Sequence, residues 1–152
     1  MFQFLGRSLI STPVYEETLA RIKNGDKFLD IGCCLGQGIR QLVTDGAPSA
    51  NTYGSDPYGG LIDVGYDLFR DMDRLKATFM AADVFDDASP LVTQLAEKMV
   101  IIYKGAFFHL FGIKEQEKIA KRVVQLLAPK PCGRARQKCV ATVPYHHASI
   151  SC

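Results

Sequence analysis

A chain of 152 residues, 47% of them apolar and 22% charged, has the length of one ordinary domain and enough apolar side chains to bury a core. Its 18 lysines and arginines are interspersed with 16 aspartates and glutamates for a formal charge of +2, so no basic block marks a nucleic-acid surface and a small-molecule partner is expected. No apolar run reaches the roughly 20 residues that span a bilayer, and no basic stretch leads into a long apolar one at the N-terminus, so no membrane association is expected and the reading is soluble and cytoplasmic.

Five cysteines, an odd number with Cys33 and Cys34 adjacent, make a poor disulfide framework and fit reduced thiols. Cys132, Cys139, Cys152 and the pair His146 and His147 lack the C-x-x-C or H-x-x-x-H spacing that places two zinc ligands on one turn, so no metal is expected.

In chain order, Thr12 and Pro13 read as a helix start, with Glu16 and Glu17 in the first turn, Tyr15, Leu19 and Ile22 at helical spacing, and Asn24-Gly25 as the stop. Lys27 to Ile31 is a short strand, followed by a glycine loop and a second amphipathic helix carrying Ile39, Leu42 and Val43 up to Asp45-Gly46. The pattern repeats with a strand at Thr52 to Ser55, a helix from Leu61 to Arg70 and a strand at Thr78 to Ala82. Ser89-Pro90 opens a helix to about Lys98, Met99 to Tyr103 is a buried strand, and Glu115 to Leu127 is a helix with Ile119, Val123, Leu126 and Leu127 on one face. Beyond Leu127 the prolines at 129 and 131 end the helix, and only Lys138 to Val143 reads as a strand. Strands alternating with helices imply an α/β, Rossmann-like, doubly wound and mostly parallel sheet.

In such a sheet ligands bind beyond the carboxyl ends of the strands, and three of those ends carry an aspartate: Asp30, Asp56 and Asp83. Gly32 and Gly36, flanking Cys33 and Cys34, allow a sharp turn and close approach of a ligand, while the next helix directs free N–H groups at an anion. Asp56 is placed to accept hydrogen bonds from two ribose hydroxyls, Asp83 to face an adenine amino group, and the Val84 N–H to serve a ring nitrogen with Phe85 at the ring edge.

At these residues the chain resembles class I S-adenosylmethionine-dependent methyltransferases, whose D-x-G-x-G-x-G loop, acid after the second strand and acid after the third bind the cofactor. The resemblance runs from about Lys27 to Pro131. The stretches FLDIGCCLGQ, YGSD, VGYDLF, AADVFD, FFHLFG and AKRVVQLL are similar, more narrowly, to methyltransferases of fungal secondary-metabolite clusters. That resemblance implies S-adenosylmethionine held by Asp30, Gly32, Cys33, Gly36, Asp56, Asp83 and Val84, and methyl transfer to a hydroxyl or carboxylate of a polyketide or terpenoid acceptor. It divides the chain into a methyltransferase-like domain over 1–131 and a divergent tail over 132–152, with the family's distal antiparallel strands missing. On that reading the chain is a truncated methyltransferase, with an inactive product as one alternative and a homodimer as a way to complete the cleft.

Two departures fall inside the pattern. Cys34 stands at the family's middle glycine, which requires a negative φ there, and Val100 stands where an acid is common. His109, in FFHLF after the fourth strand, is the candidate general base for a hydroxyl acceptor, with Phe107, Phe108 and Phe111 as candidate pocket lining. The rival reading, an NAD(P)-dependent short-chain dehydrogenase, matches Gly32, Gly36 and Gly38 but needs a Tyr-x-x-x-Lys pair, which none of the six tyrosines forms.

Overall fold

The computed structural model describes residues 9–105 and 110–129, together with the backbone of 141–142. After a short 3-10 turn at Leu9–Ser11, the elements are α1 Tyr15–Lys23, β1 Phe28–Ile31, α2 Gln37–Thr44, β2 Thr52–Asp56, α3 Gly59–Phe69, β3 Thr78–Ala81, α4 Pro90–Leu95, β4 Ile101–Tyr103, α5 Ile113–Leu126 and β5 Ala141–Thr142. The five strands form one sheet in the order β3-β2-β1-β4-β5, and every pairing is parallel. The expected doubly wound α/β sheet is therefore what the chain builds.

Alternation along the central strands sorts the core into two layers. Phe28 of β1 and Ile101 of β4 pack with Tyr15, Leu19 and Ile22 of α1 and Ile39 and Leu42 of α2. Leu29, Ile31 and Ile102 point the other way, onto Leu91 and Leu95 of α4 and Ile119, Val123 and Leu126 of α5. β1 is buried at all four positions, as a central strand covered on both faces must be. Each of these fully buried aliphatic side chains contributes about 1.5–3 kcal/mol through removal from water.

Helix boundaries shift for local reasons. The Thr12 hydroxyl donates to the Leu9 carbonyl (2.6 Å) instead of capping α1, and the Thr12 carbonyl accepts the Tyr15 N–H, so the helix begins at Tyr15 and not at Pro13. α4 stops at Leu95, short of Lys98, because the chain turns so that Lys98 and Met99 donate to the Leu126 carbonyl at the end of α5. Met99 consequently forms an isolated bridge with Leu127, and β4 starts only at Ile101. α3 starts two residues earlier than the apolar spacing indicates, at Gly59. The strand expected over Lys138 to Val143 is present at Ala141–Thr142, paired with β4; the rest of that stretch lies outside the described residues.

Candidate functional site

The chain moves outward from β1 to β2 and β3, then returns to the other side of β1 as β4. The loops above β1 and β4 therefore diverge, and the crevice at this reversal is where an open parallel sheet offers a ligand site. Asp30 sits near the end of β1, Asp56 ends β2, and Asp83 lies two residues beyond β3. Since Asp30 pairs with Gly54 and Asp56 with Ala81, each acid stands two residues further along than the one on its inner neighbour, in a staircase from sheet centre to edge.

Asp30 and Asp56 are both buried, and the Asp56 charge acts on Asp30. Burial first, and the Asp56 charge second, push the Asp30 carboxyl up to about 8. Tyr103, directly opposite Asp30 on β4, is also buried, and burial followed by the Asp30 charge pushes its phenol up to about 12. Asp56 is already at work within the fold: Oδ2 accepts the Cys34 N–H and Oδ1 the Tyr58 N–H, both at 3.0 Å. A carboxylate has about four acceptor positions, so two remain for a ligand.

The loop between β1 and α2 winds through three left-handed positions, Gly32 (φ 76°), Cys34 (φ 53°) and Gly36 (φ 70°). The negative φ expected at Cys34 is thus overturned. What holds the unfavourable conformation is the Asp56 carboxylate, which captures the Cys34 N–H, together with the Ser55 carbonyl, which accepts both the Gly32 and the Cys33 N–H (2.8 and 3.0 Å). Cys33 is buried, and burial, then the Asp30 and Asp56 charges, raise its thiol well above the usual range, leaving an inert packed side chain. Gly36 caps α2 without a side chain, so the cap itself gives the first N–H groups of that helix no side-chain acceptor. Its own lack of a Cβ serves packing rather than ligand approach, because a Cβ there would lie 2.5 Å from the Phe79 ring and 2.7 Å from Arg40 Nη1. Gln37 Oε1 and Ser55 Oγ, at this loop, are buried and make no hydrogen bond among the described residues.

Beyond β3, Asp83 is exposed and its Oδ1 accepts the Phe85 N–H (2.9 Å), which shapes the turn. Val84 is buried, with its carbonyl held by Arg122 Nε of α5 (2.9 Å); Arg122 also reaches Asp87 and Gln125. The Phe85 ring meets Phe111 edge-on at 5.3 Å. His109, Phe107 and Phe108 lie outside the described residues. Four residues at or beside the site have no counterpart in the sequence reading: Tyr103, Lys104, Arg40 and Asp71. Lys104 is buried just past β4, and burial pushes its ammonium down to about 8. Among the described residues no helix is long and apolar enough to cross a membrane, and no cluster of metal-ligating side chains occurs.

A parallel sheet ordered 3-2-1-4-5, with a left-handed glycine loop and acids at successive strand ends, defines a Rossmann-like domain of the methyltransferase type. Solved structures agree on the fold: the PKMT2 protein of Rickettsia typhi, in complex with AdoHcy, superposes with a TM-score of 0.56 at 18% identity, covering 80% of this chain and 24% of that one. The CurJ carbon methyltransferase gives 0.54 at 16% identity over 78% of this chain and 34% of its own. No family model matches the sequence. Relatives do: the asnovolin E/chermesin D methyltransferase nvfJ of Aspergillus novofumigatus is 51% identical over 130 residues, 86% of this chain and 47% of its own length. The O-methyltransferase phiE of a fungal species is 49% identical over 132 residues (86% and 44%), and the methyltransferase adrK of Penicillium rubens 50% identical over 127 (84% and 46%). Over most of its length the chain is thus similar to these fungal methyltransferases, and it spans about half the length of the curated relatives it matches.

Proposed function

We propose that this chain forms the cofactor-binding part of an S-adenosylmethionine-dependent methyltransferase acting on a small molecule of fungal secondary metabolism. The observation that carries the reading is the buried pair Asp30 and Asp56, set at the switch point beside the start of α2, where the glycine cap offers no side-chain acceptor to the first N–H groups. Two carboxyls buried side by side favour a ligand that brings positive charge and hydrogen-bond donors, and the ammonium, sulfonium and ribose of S-adenosylmethionine supply both. When bound, that cofactor provides a methyl group activated by its sulfonium.

In this reading the N–H groups at the start of α2 hold the methionine carboxylate, and Gly32, Cys33 and Gly36, whose own N–H groups go to the Ser55 and Cys33 carbonyls, shape the loop that passes beside it. Asp30 faces the amino group and Asp56 the ribose hydroxyls, through the acceptor positions not taken by Cys34 and Tyr58. Asp83 and the Val84 N–H read the adenine edge, with Phe85 beside the ring. The protein then has little covalent work: it must bring the acceptor oxygen to about 3 Å from the methyl carbon and exclude water. The name O-methyltransferase carried by two of the relatives supports an oxygen acceptor, and a polyketide or terpenoid acceptor follows only from the resemblance in the sequence. His109 is the base for a hydroxyl acceptor; a carboxylate needs none.

Calorimetric titration of the full chain with S-adenosylmethionine and, separately, with NADH tests the proposal. Binding of the first alone is expected. Binding of NADH in its place, or of neither, overturns it. Unchanged turnover of a hydroxyl acceptor by the His109→Ala protein would remove that residue from the mechanism.

A further inference from the structure

Arg40, in the first turn and a half of α2, is an arginine in an otherwise apolar interface between α2 and α3. It is only 9% exposed, and each of its three guanidinium nitrogens donates a hydrogen bond. Nε and Nη2 donate to the two carboxylate oxygens of Asp71, just beyond α3, at 2.7 and 2.9 Å. Nη1 donates to the Leu35 carbonyl at 2.6 Å. Three rings enclose it, with the guanidinium carbon 4.6 Å from the centre of Phe69 and 5.3 Å from those of Tyr66 and Phe79.

Leu35 belongs to the glycine loop, and its carbonyl has no freedom on the opposite side either, since a Cβ on Gly65 of α3 would stand 2.5 Å from that oxygen. A trans peptide is planar, so fixing the Leu35 carbonyl toward Arg40 fixes the Gly36 N–H in the reverse direction, where it donates to the Cys33 carbonyl at 2.8 Å. That single peptide plane sets the left-handed conformation of Gly36, and Gly36 in turn sets the direction of the first N–H groups of α2. The chain therefore holds the ligand-facing side of its loop from behind, through a guanidinium anchored on a different helix connection.

We propose that Arg40 is a positioning residue that, through the Leu35–Gly36 peptide, sets the affinity of the glycine loop for the amino-acid end of the nucleoside ligand while leaving the adenosine end alone. The inference rests on the cofactor reading given above. It separates Arg40 from a residue that only stabilises the fold, because a purely structural loss weakens every ligand of the cleft alike. Lysine keeps the charge at position 40 but cannot supply a two-pronged bond to Asp71 and a third to Leu35. Asp71→Asn keeps Arg40 and its three rings but breaks one prong of the fork, and serves where the first variant fails to fold.

The test is calorimetry on the full chain with two probes, S-adenosylhomocysteine and 5′-methylthioadenosine, the second sharing the adenosine but lacking the amino-acid end. Arg40→Lys is expected to weaken S-adenosylhomocysteine about tenfold, the size of one lost charge-assisted bond, and 5′-methylthioadenosine less than about twofold. Asp71→Asn is expected to move the first probe in the same direction by a smaller factor. Equal weakening of both probes, or no change in either, overturns the role given to Arg40 while leaving the cofactor reading intact. A wild-type chain that binds neither probe overturns the cofactor reading, and the role of Arg40 with it.

Discussion

Replacing Asp30 by asparagine should make the protein more stable while emptying its site. Burial and the neighbouring Asp56 charge push this carboxyl from its ordinary 3.8 up to about 8. From pH 5 upward the unfolded chain holds Asp30 ionised, whereas the folded chain keeps it mostly protonated until the pH nears 8. Folding then takes up a proton, and stability falls by 1.36 kcal/mol for each pH unit. Over that window the single group removes about 4 kcal/mol, a large share of the roughly 5–15 kcal/mol by which a domain is ordinarily stable. Asparagine has the shape of the protonated acid and cannot ionise. Urea unfolding at pH 5, 6, 7 and 8, followed by circular dichroism, should show the wild-type midpoint dropping across the series and the Asp30→Asn midpoint much flatter, with the variant ahead by a few kcal/mol at pH 8. Affinity for S-adenosylmethionine should fall by about tenfold or more in the same protein. Identical pH slopes for the two proteins would refute the assignment of a protonated, buried Asp30.

Lys104 has the opposite sign. Its folded ammonium titrates at about 8 against an ordinary 10.5, so from pH 8 upward the unfolded chain binds a proton that the folded chain has lost, and stability rises; Lys104→Met should abolish that rise in the same unfolding series carried to pH 10. Cys34→Gly should raise the unfolding free energy by about 0.5–1 kcal/mol, since relief of the left-handed Cβ contact exceeds the added entropy of glycine, while Cys34→Ala should leave it near wild type. Gly36→Ala should cost about 2–4 kcal/mol in thermal or urea unfolding, because its new Cβ combines a positive φ with a collision against Phe79 and Arg40.

The fold was legible wherever one periodicity acted alone. α5 and β1 announce themselves through apolar spacing, and the acids at 30, 56 and 83 mark strand ends because each directly follows or closes a run of strand-forming residues. What spacing could not carry is any feature made by two distant segments. Arg40 looks like an exposed helical arginine until Asp71, 31 residues away, and the rings of Tyr66, Phe69 and Phe79 close around it. Asp56 reads as a ligand acceptor, yet half of its capacity holds Cys34 and Tyr58 in place. The conformation of Cys34 was likewise beyond reach, since the residue type argues for a negative φ and the contact that outweighs it comes from the carboxylate at the end of the neighbouring strand. Helix ends moved for the same reason: the Thr12 hydroxyl had a nearer acceptor in Leu9 than the amides of α1.

Left-handed non-glycine residues also occur at Arg70 and Glu97, but several costly features of different kinds meet at one place. A non-glycine residue in the left-handed region, two carboxyls buried together and two buried acceptors without a partner among the described residues all occur where the sheet reverses its order, and each would be selected against in a segment that only had to pack. The compensation comes from outside the loop: the Ser55 carbonyl and Asp56 carboxylate of β2, Arg40 of α2, and Asp71 beyond α3. Because those partners belong to elements already fixed by the two hydrophobic layers, the loop is shaped before any ligand arrives. Binding then has little backbone to order, and the interaction of the ligand with Asp30 and the helix N–H groups is available for affinity instead of for folding the site.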